Sequence, residues 1–189
     1  MKIAIAPDSF KESMTAKEVC ESVERGILSI FPNWEIIKIP MADGGEGTLE
    51  SLVNATDGNI YCENTLNPLG EEIISRYGIL NEKKTAVIEM ASSSRLELIP
   101  IEKRNPYITT TYGTGQLILK ALDHNIEKII LGIGGSATND GGSGMLQALG
   151  ARLLDEKGEK IGFGGFELSK LDRIDFSTLD KRLKNIEIL

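Results

Sequence analysis

The stretch KIILGIGGSATNDGGSGMLQAL, residues 128–149, decides the fold class of this chain. Residues 128–131 form a short apolar run that is typical of a buried strand, and residues 145–149 follow a helical pattern. Between them, residues 132–144 are rich in glycine, which predicts a loop. The stretch therefore predicts a strand, a loop and a helix in succession, which is the repeating unit of α/β proteins.

The N-terminal part of the chain contains the same unit twice. KIAIAP, residues 2–7, predicts a strand, and the helix after it is predicted to start at a capping box formed by Thr15 and Glu18. A second strand is predicted at residues 35–40 and a second helix at residues 48–55. Repeated units of this kind predict a parallel sheet with helices on its faces.

The middle of the chain has a different pattern. The short strand-like runs YCENTL, EIISRYGIL and TAVIEMA are separated by turn signals, which predicts an antiparallel, hairpin-rich segment. We therefore predict an α/β fold with two interleaved α/β domains, the second one smaller and built on a mixed sheet. The predicted division assigns residues 1–58 and about 105–145 to the first domain, and about 59–104 and 146–189 to the second. The final run, KNIEIL, has the pattern of a strand, so we expect the second domain to be incomplete at its C-terminus.

Composition excludes several classes of function. The 189-residue chain has a formal net charge of −7 and scattered basic residues, so nucleic acid is not an expected partner. No apolar run reaches the length of a membrane span, and we expect no membrane partner and a cytoplasmic location. Cys20 and Cys62 are predicted to be reduced thiols, and the single histidine, His124, is predicted to be exposed to solvent. The oligomeric state is left open, a homodimer included.

The first candidate segment for a functional site is APDSFKES, residues 6–13, which follows the first predicted strand. Open parallel sheets bind ligands at the carboxyl ends of their strands. Lys11 is predicted to neutralise a phosphate or a substrate carboxylate, and Asp8 to bind magnesium or to accept a hydroxyl proton. Ser9 is predicted to bind the ligand as well. The alternative is that Asp8 and Ser9 only form a turn and cap the helix.

The second candidate segment, MADGGEGT at residues 41–48, follows the second predicted strand. Gly44 and Gly45 let backbone amides approach a ligand, while the carboxylates of Asp43 and Glu46 suit magnesium or substrate hydroxyls. A solvated turn before a capped helix also requires glycine and an acidic residue, so that interpretation stays open.

The third and densest segment is GIGGSATNDGGSG, residues 132–144. Its glycines offer many free backbone N–H groups and little steric bulk, which suits a phosphate-binding loop. Asn139 and Asp140 are predicted to hold magnesium or to orient a substrate hydroxyl. The residues of this loop predicted to bind substrate or nucleotide are Gly134, Gly135, Ser136, Thr138 and Asn139.

A fourth segment, TTTYGTGQ at residues 109–116, precedes a helix predicted over residues 114–124. Its hydroxyls lie near a helix N-terminus, which favours anions. Thr114 is either one of these ligand groups or simply the helix cap.

Two known nucleotide-binding fingerprints match poorly. Gly132, Gly134 and Ala137 satisfy G-x-G-x-x-A after a strand, but three more glycines between residues 141 and 144 would then lie inside the helix. Each of them costs roughly 1 kcal/mol relative to alanine. The P-loop pattern G-x-x-x-x-G-K-[ST] is matched nowhere, so a kinase with this sequence is not of the Walker type.

Taken together, the four segments resemble those of bacterial glycerate kinases of the type-1 family. APDSFKES, MADGGEGT, TTTYGTG and GIGGSATNDGG occur in the same order and spacing as in that family. The resemblance covers the whole of this chain and the N-terminal half of the family, whose members continue with further glycine-rich and acidic segments. It implies a flavodoxin-like domain, a second α/β domain and a cleft between them, in a chain that is truncated.

The resemblance implies ATP-dependent phosphorylation of D-glycerate to a phosphoglycerate, with the 2-phospho isomer expected. The implied cofactors are ATP and Mg²⁺, the implied small-molecule partners are glycerate and ATP, and activity of the fragment alone stays open. Lys11, Asp43 and Asp140 are the predicted catalytic residues: Lys11 and the glycine loop hold phosphates, while Asp43 or Asp140 binds magnesium or takes the hydroxyl proton. The alternative is a non-catalytic module that binds a small anion or a nucleotide.

Two positions depart from the family pattern. Glu12 stands where glycine usually follows the lysine, and it would be strained if that position requires a positive φ. Ser94 and Arg95 stand where the family tends to have a small residue and a glycine. Arg95 either adds a charge near the cleft or is a solvated loop residue, and the second interpretation is the one we favour.

Overall fold

The computed structural model describes residues 1–10, 13–42, 44–81 and 84–189. Among the helices of these residues, none combines the length and the apolar composition needed to cross a membrane. The helices are α1 (Ala16–Ile30), α2 (Thr48–Ala55), α3 (Ala91–Ser94), α4 (Tyr112–Leu122) and α5 (Ser143–Ala148). The strands are β1 (Lys2–Ile5), β2 (Glu35–Lys38), β3 (Asn59–Leu66), β4 (Glu72–Ile79), β5 (Thr85–Glu89), β6 (Lys128–Gly132), β7 (Arg152–Leu154), β8 (Arg173–Asp175) and β9 (Glu187–Ile188).

The N-terminal unit is a parallel pair of strands, β1 and β2, covered by α1. The helix begins at the predicted capping box, in which Glu18 N donates to the Thr15 hydroxyl and Thr15 N donates to the Glu18 carboxylate. Val19 and Cys20 lie on its buried side, and the Cys20 thiol donates to the carbonyl of Ile5 at 3.6 Å. Both cysteines of the chain are free, as predicted.

A mixed five-stranded sheet forms the larger part of the structure, with the strand order β3-β4-β5-β6-β9. β3 and β4 form a long antiparallel hairpin, and β4 also pairs antiparallel with β5. β6 then pairs in parallel with β5, and β9 pairs in parallel with β6. The predicted α/β class, with one parallel sheet and one mixed, hairpin-rich sheet, is confirmed. β7 and β8 form a separate antiparallel pair.

β5 is buried on both faces because a helix covers each side of it. Ala86 and Ile88 pack against the residues of α4, whereas Val87, which points to the opposite face, packs against Leu49 of α2. Ala86, Val87 and Ile88 are all 0% exposed. Burial of an aliphatic side chain such as Val87 or Ile88 contributes about 1.5–3 kcal/mol. The core of the molecule therefore lies on both sides of this strand.

β6 lies in the mixed sheet, where Thr85 is opposite Lys128 and Glu89 is opposite Gly132. The strand belongs to the segment 105–145, which the sequence predicts to share a domain with residues 1–58. The backbone hydrogen bonds of β6 instead connect it to β5 and β9, and both of these strands belong to the second predicted domain. The domain boundaries themselves stay a prediction.

His124 is half-buried, so the predicted solvent exposure is wrong. Its Nε2 lies 2.9 Å from the Tyr77 hydroxyl, and its ring centroid lies 4.5 Å from that of Tyr61. Burial raises the pKa of Tyr77 to about 12 because the phenolate would lose its hydration. The error arose because the β3–β4 hairpin packs beside the end of α4, a contact that the local helical pattern does not encode.

α4 begins two residues earlier than predicted, at Tyr112, with Thr111 as its N-cap. Thr114 lies inside the helix and is 0% exposed. Its hydroxyl is 3.0 Å from the hydroxyls of both Ser93 and Ser94. Thr114 is therefore not the helix cap, and it joins α4 to the short helix α3.

Candidate functional site

The loops that follow β1, β2 and β6 are joined to one another by backbone hydrogen bonds. Met41 N donates to the carbonyl of Pro7 at 2.9 Å, which holds the first two loops side by side. Gly134 N donates to the carbonyl of Gly44 at 3.2 Å, which joins the second loop to the third. Since each loop begins at the carboxyl end of a strand, the three form one surface at the place where α/β sheets bind ligands.

Two glycines of the third loop are required by its packing against the second. A Cβ atom on Gly132 would lie 2.5 Å from the carbonyl oxygen of Gly44, and one on Gly134 would lie 2.8 Å from Gly45 Cα. Gly135 is different, because it is exposed, has a φ of 74°, and has more space around it. Part of the glycine pattern therefore serves contact between the loops.

A pocket of about 230 Å³, here called the Ser9 pocket, lies between the first and second loops. Ser9, Ser13, Glu18 and Glu46 are among its lining residues. The Thr15 N–H and hydroxyl donate to the Glu18 carboxylate and lower its pKa. That carboxylate is thus engaged at the start of α1, whereas Glu46 is exposed and forms an ion pair with Arg95.

A second pocket of about 260 Å³, here called the Arg104 pocket, lies against the third loop. Its polar lining consists of Arg104, Asn105, Thr109, Ser136, Thr138 and Asn139, and its apolar lining consists of Leu96, Ile99, Pro106 and Ala137. Among the described residues, Arg104 is the only charged one that lines this pocket. The pocket is therefore suited to an anion.

Asp140 is 1% exposed and joins the N-termini of two helices. Its Oδ2 accepts hydrogen bonds from Thr111 N at 2.8 Å, from Thr111 Oγ1 at 2.9 Å and from Gly144 N at 3.0 Å. Its Oδ1 accepts from Gly142 N at 3.1 Å. α4 and α5 begin at these donors, so the carboxylate satisfies N–H groups that neither helix can pair internally. Asp140 thereby fixes the end of the glycine loop against α4.

Glu89, the last residue of β5, has the same function for α2. It is 4% exposed, and its carboxylate accepts from Leu49 N at 2.7 Å. The N-cap of α2 is Gly47, which has no side chain to cap the helix. Burial raises the pKa of Glu89 above its ordinary value. The only sequence signal for this role is a carboxylate at the end of an otherwise apolar strand.

Arg95 lies between the two pockets and contacts a loop on each side. Its Nη1 is 3.2 Å from Glu46 Oε1, and its backbone forms an antiparallel bridge with Ser136. Its Nε is buried without a hydrogen-bond partner. Arg95 therefore adds a cation between the second and third loops, as one of the two interpretations of the sequence had it, and 37% of its side chain stays exposed.

A family model described as the glycerate kinase family matches residues 3–189. The chain belongs to the glycerate kinase family. It is 57% identical over 188 residues to the glycerate kinase of Bacillus subtilis (strain 168), covering 100% of this chain and 49% of that protein. It is 54% identical over 188 residues to the glycerate 2-kinase of Escherichia coli (strain K12), again covering 100% of this chain and 49% of the relative.

A solved structure supports the same membership in the glycerate kinase family. The crystal structure of a protein from Salmonella typhimurium LT2, provisionally assigned as glycerate kinase 2, matches with a TM-score of 0.85 and 52% identity. The match covers 100% of this chain and 51% of that one. The chain thus spans about half the length of the relatives it matches, and it corresponds to their N-terminal portion.

Most of the site residues predicted for this glycerate kinase family member lie at the three loops. Ser9 and Glu46 line the Ser9 pocket, and Asp8 lies beside it, accepting from Ser9 N at 2.6 Å. Asp140 lines neither pocket. Lys11 and Asp43, together with Glu12, lie outside the described residues. Three of the predicted residues, Ser136, Thr138 and Asn139, line the Arg104 pocket. Gly44, Gly45 and Gly134 lie at the contact between the second and third loops, and Gly135 is exposed beside Ala91.

Proposed function

We propose that this chain forms one wall of the active site of an ATP-dependent glycerate kinase, which transfers a phosphoryl group to D-glycerate in the cytoplasm. The observation that carries the proposal is the joining of the three loops by the bonds from Met41 N to Pro7 O and from Gly134 N to Gly44 O. The first two loops line the Ser9 pocket and the third loop lines the Arg104 pocket, in a chain 57% identical to a glycerate kinase. Arg95 connects the two sides through Glu46 and Ser136. Two ligands that react with each other require adjacent sites.

We assign the residues of the two pockets to binding and orientation. Ser9 and Glu46 line the Ser9 pocket, where a hydroxy acid would have to be oriented, and Asp8 lies beside it. Lys11, which lies outside the described residues, stays the proposed partner of a phosphate or a carboxylate. Gly134, Gly135, Ser136, Thr138 and Asn139 stay the proposed phosphate-binding residues of the third loop.

Mg²⁺ stays a proposed cofactor, with Asp43 and Asp140 as the predicted ligands. When bound, the ion would neutralise the charge that develops on the transferred phosphoryl group. Asp140 fits this role poorly, because both of its oxygens are already surrounded by N–H and O–H donors. Within the described ranges no group of three or more His, Cys, Asp or Glu side chains is arranged to hold a metal. We therefore propose that Asp140 positions the glycine loop, and no step of the mechanism depends on a metal at this residue.

The proposed function is tested by measuring phosphoglycerate formation from ATP and D-glycerate by ³¹P NMR. The chain is assayed alone and joined to the remaining half of the Bacillus subtilis relative, which completes the length of that protein. We expect the joined protein to produce phosphoglycerate, with the 2-phospho isomer as the product, in keeping with the name of the Escherichia coli relative.

A joined protein that folds but forms no phosphoglycerate contradicts the proposed function. If it still binds ATP or glycerate, the alternative applies, and the chain is a non-catalytic module for small anions or nucleotides. ATP hydrolysis that does not depend on glycerate contradicts the assignment of the acceptor.

A further inference from the structure

We propose that Arg104 binds an oxyanion of one of the two substrates, a carboxylate or a phosphate, in the Arg104 pocket. The inference rests on the proposed function, because it takes the ligand to be D-glycerate or ATP. Arg104 belongs to none of the four segments that the sequence indicates as functional, and only the tertiary structure places it opposite Thr138 and Asn139.

Arg104 is an exposed residue, and in the described part of the chain its guanidinium group has one protein partner. Its Nε donates to the carbonyl of Ile99 at 3.2 Å. Within the described residues its two terminal nitrogens have no protein partner, although they carry four N–H donors. An arginine fixed through Nε presents these terminal N–H groups as a preformed fork, which matches the geometry of a carboxylate or a phosphate.

The charges around Arg104 leave it available for a ligand. Its neighbour Lys103 forms an ion pair with Glu71, and Arg95 forms one with Glu46. Arg104 forms none with the carboxylates of the described chain, although the protein has a net charge of −7. An unpaired cation in a pocket without carboxylates attracts an anion.

The third-loop side of the Arg104 pocket is polar and is cross-linked by hydrogen bonds. The hydroxyls of Ser136 and Thr138 lie 2.8 Å apart, and Thr138 N donates to Ser136 Oγ at 3.2 Å. Backbone atoms of Ala137 accept from Thr109 Oγ1 at 3.1 Å and donate to the carbonyl of Ser94 at 2.8 Å. The Asn139 side chain is exposed, and among the described residues it has no hydrogen-bond partner. This wall offers further donors to an anion held by Arg104.

The size of the pocket restricts the ligand. Its volume of about 260 Å³ lies below the roughly 300–1,000 Å³ that is usual for sites of whole drug-sized ligands. A volume of this size suits a small hydroxy acid or the phosphate tail of a nucleotide. The two sources share the chemistry of an oxyanion and are separated by the choice of probe.

Binding to the ¹⁵N-labelled chain tests the proposal, with the Arg104 Nε–H signal and the amide signals of Thr138 and Asn139 as the readout. The probes are D-glycerate, inorganic pyrophosphate and ATP, each titrated separately. We expect saturable shifts of these signals with at least one probe. Arg104→Gln should raise the Kd of that probe at least tenfold. Arg104→Lys should raise it less, because lysine keeps the charge but lacks the forked pair of N–H donors.

Lys103→Gln is the matched control, because it removes the same charge from the adjacent residue, which points to Glu71 and not to the pocket. We expect its Kd to stay within twofold of that of the native chain. A native chain that binds none of the probes overturns the proposal. An equal loss of probe affinity in Lys103→Gln and Arg104→Gln also overturns the proposal. A folded Arg104→Gln variant that binds the probe with native affinity overturns it as well.

The same variants separate this proposal from the proposed function. If the joined enzyme forms phosphoglycerate and Arg104→Gln leaves the KM values for both substrates unchanged, the anion site is wrong and the function is retained. If probes bind in an Arg104-dependent way but no phosphoglycerate forms, the site is retained and the function is wrong. A raised KM for only one substrate identifies the source of the oxyanion.

Discussion

Asp140 and Glu89 are buried carboxylates, and each of them caps a helix whose first N–H groups lie far away in the sequence. Asp140 accepts from Thr111 N, 29 residues away, and Glu89 accepts from Leu49 N, 40 residues away. The first N–H groups of a helix have no internal partner, and a negative group there is stabilised by the helix dipole. These two residues therefore hold the second and third loops at the places where α2, α4 and α5 begin.

We predict that Asp140→Asn destabilises the protein by about 2–4 kcal/mol, because an amide NH₂ group would face N–H donors and leave buried groups unpaired. The free energy of unfolding in urea measures this loss. Asp155→Asn is the control, because Asp155 accepts from Lys157 N and Glu159 N in a surface turn, and we expect it to cost under about 1 kcal/mol. Equal losses in the two variants contradict the proposed positioning role of Asp140.

We predict a pH-dependent effect of Glu89→Gln on stability. Burial raises the pKa of Glu89 in the folded protein, so the folded state favours the protonated form. The contribution of Glu89 to stability is then complete below the ordinary glutamate pKa of 4.5 and is lost as the pH rises through the folded value. The difference in free energy of unfolding, native minus Glu89→Gln, should fall as the pH rises above 4.5, and a constant difference would show that the environment of Glu89 does not penalise ionisation.

At the scale of elements, the contact between the loops after β2 and β6 sets the shape of the surface. The glycines of the third loop allow its backbone to approach the second loop more closely than any residue with a Cβ atom allows. The glycine-rich segment therefore packs against the second loop at Gly132 and Gly134, whereas it is exposed to solvent at Gly135. The sequence pattern alone does not separate the two kinds of position.

We predict that Gly132→Ala destabilises the protein by about 1–3 kcal/mol, because its Cβ would lie 2.5 Å from the carbonyl oxygen of Gly44. Gly26→Ala is the matched control, because Gly26 lies on the exposed side of α1 and a Cβ there meets nothing within 4 Å. The control should stabilise the helix by roughly 0.5–1 kcal/mol. Thermal unfolding followed by circular dichroism measures both changes, and stabilisation by both variants contradicts the close approach of the loops.

At the scale of the molecule, β6 and Arg95 connect parts that the sequence suggests are separate. β6 pairs with β5, and the loop that follows β6 contacts the loop that follows β2. Arg95, between those loops, has Glu46 on the side of the Ser9 pocket and Ser136 on the side of the Arg104 pocket. The mixed sheet and the parallel β1–β2 pair thus contribute jointly to one surface with two pockets.

The sequence by itself determined the local features of this protein. The capping box of Thr15 and Glu18, the succession β1, α1, β2 and α2, and the hairpin of β3 and β4 follow from local turn and capping signals and from the spacing of apolar residues. The four segments also gave the family correctly, because their order and spacing are properties of the chain itself.

Only the tertiary structure decided which distant groups meet. The pairing of β6 with β5, the burial of His124, the capping by Asp140 and Glu89, and the pocket at Arg104 all depend on contacts between segments far apart in the chain. A carboxylate or an arginine in a polar stretch has the same local pattern whether it is solvated or buried. Its role is fixed by the donors and charges that packing brings to it, and these are not neighbours in the sequence.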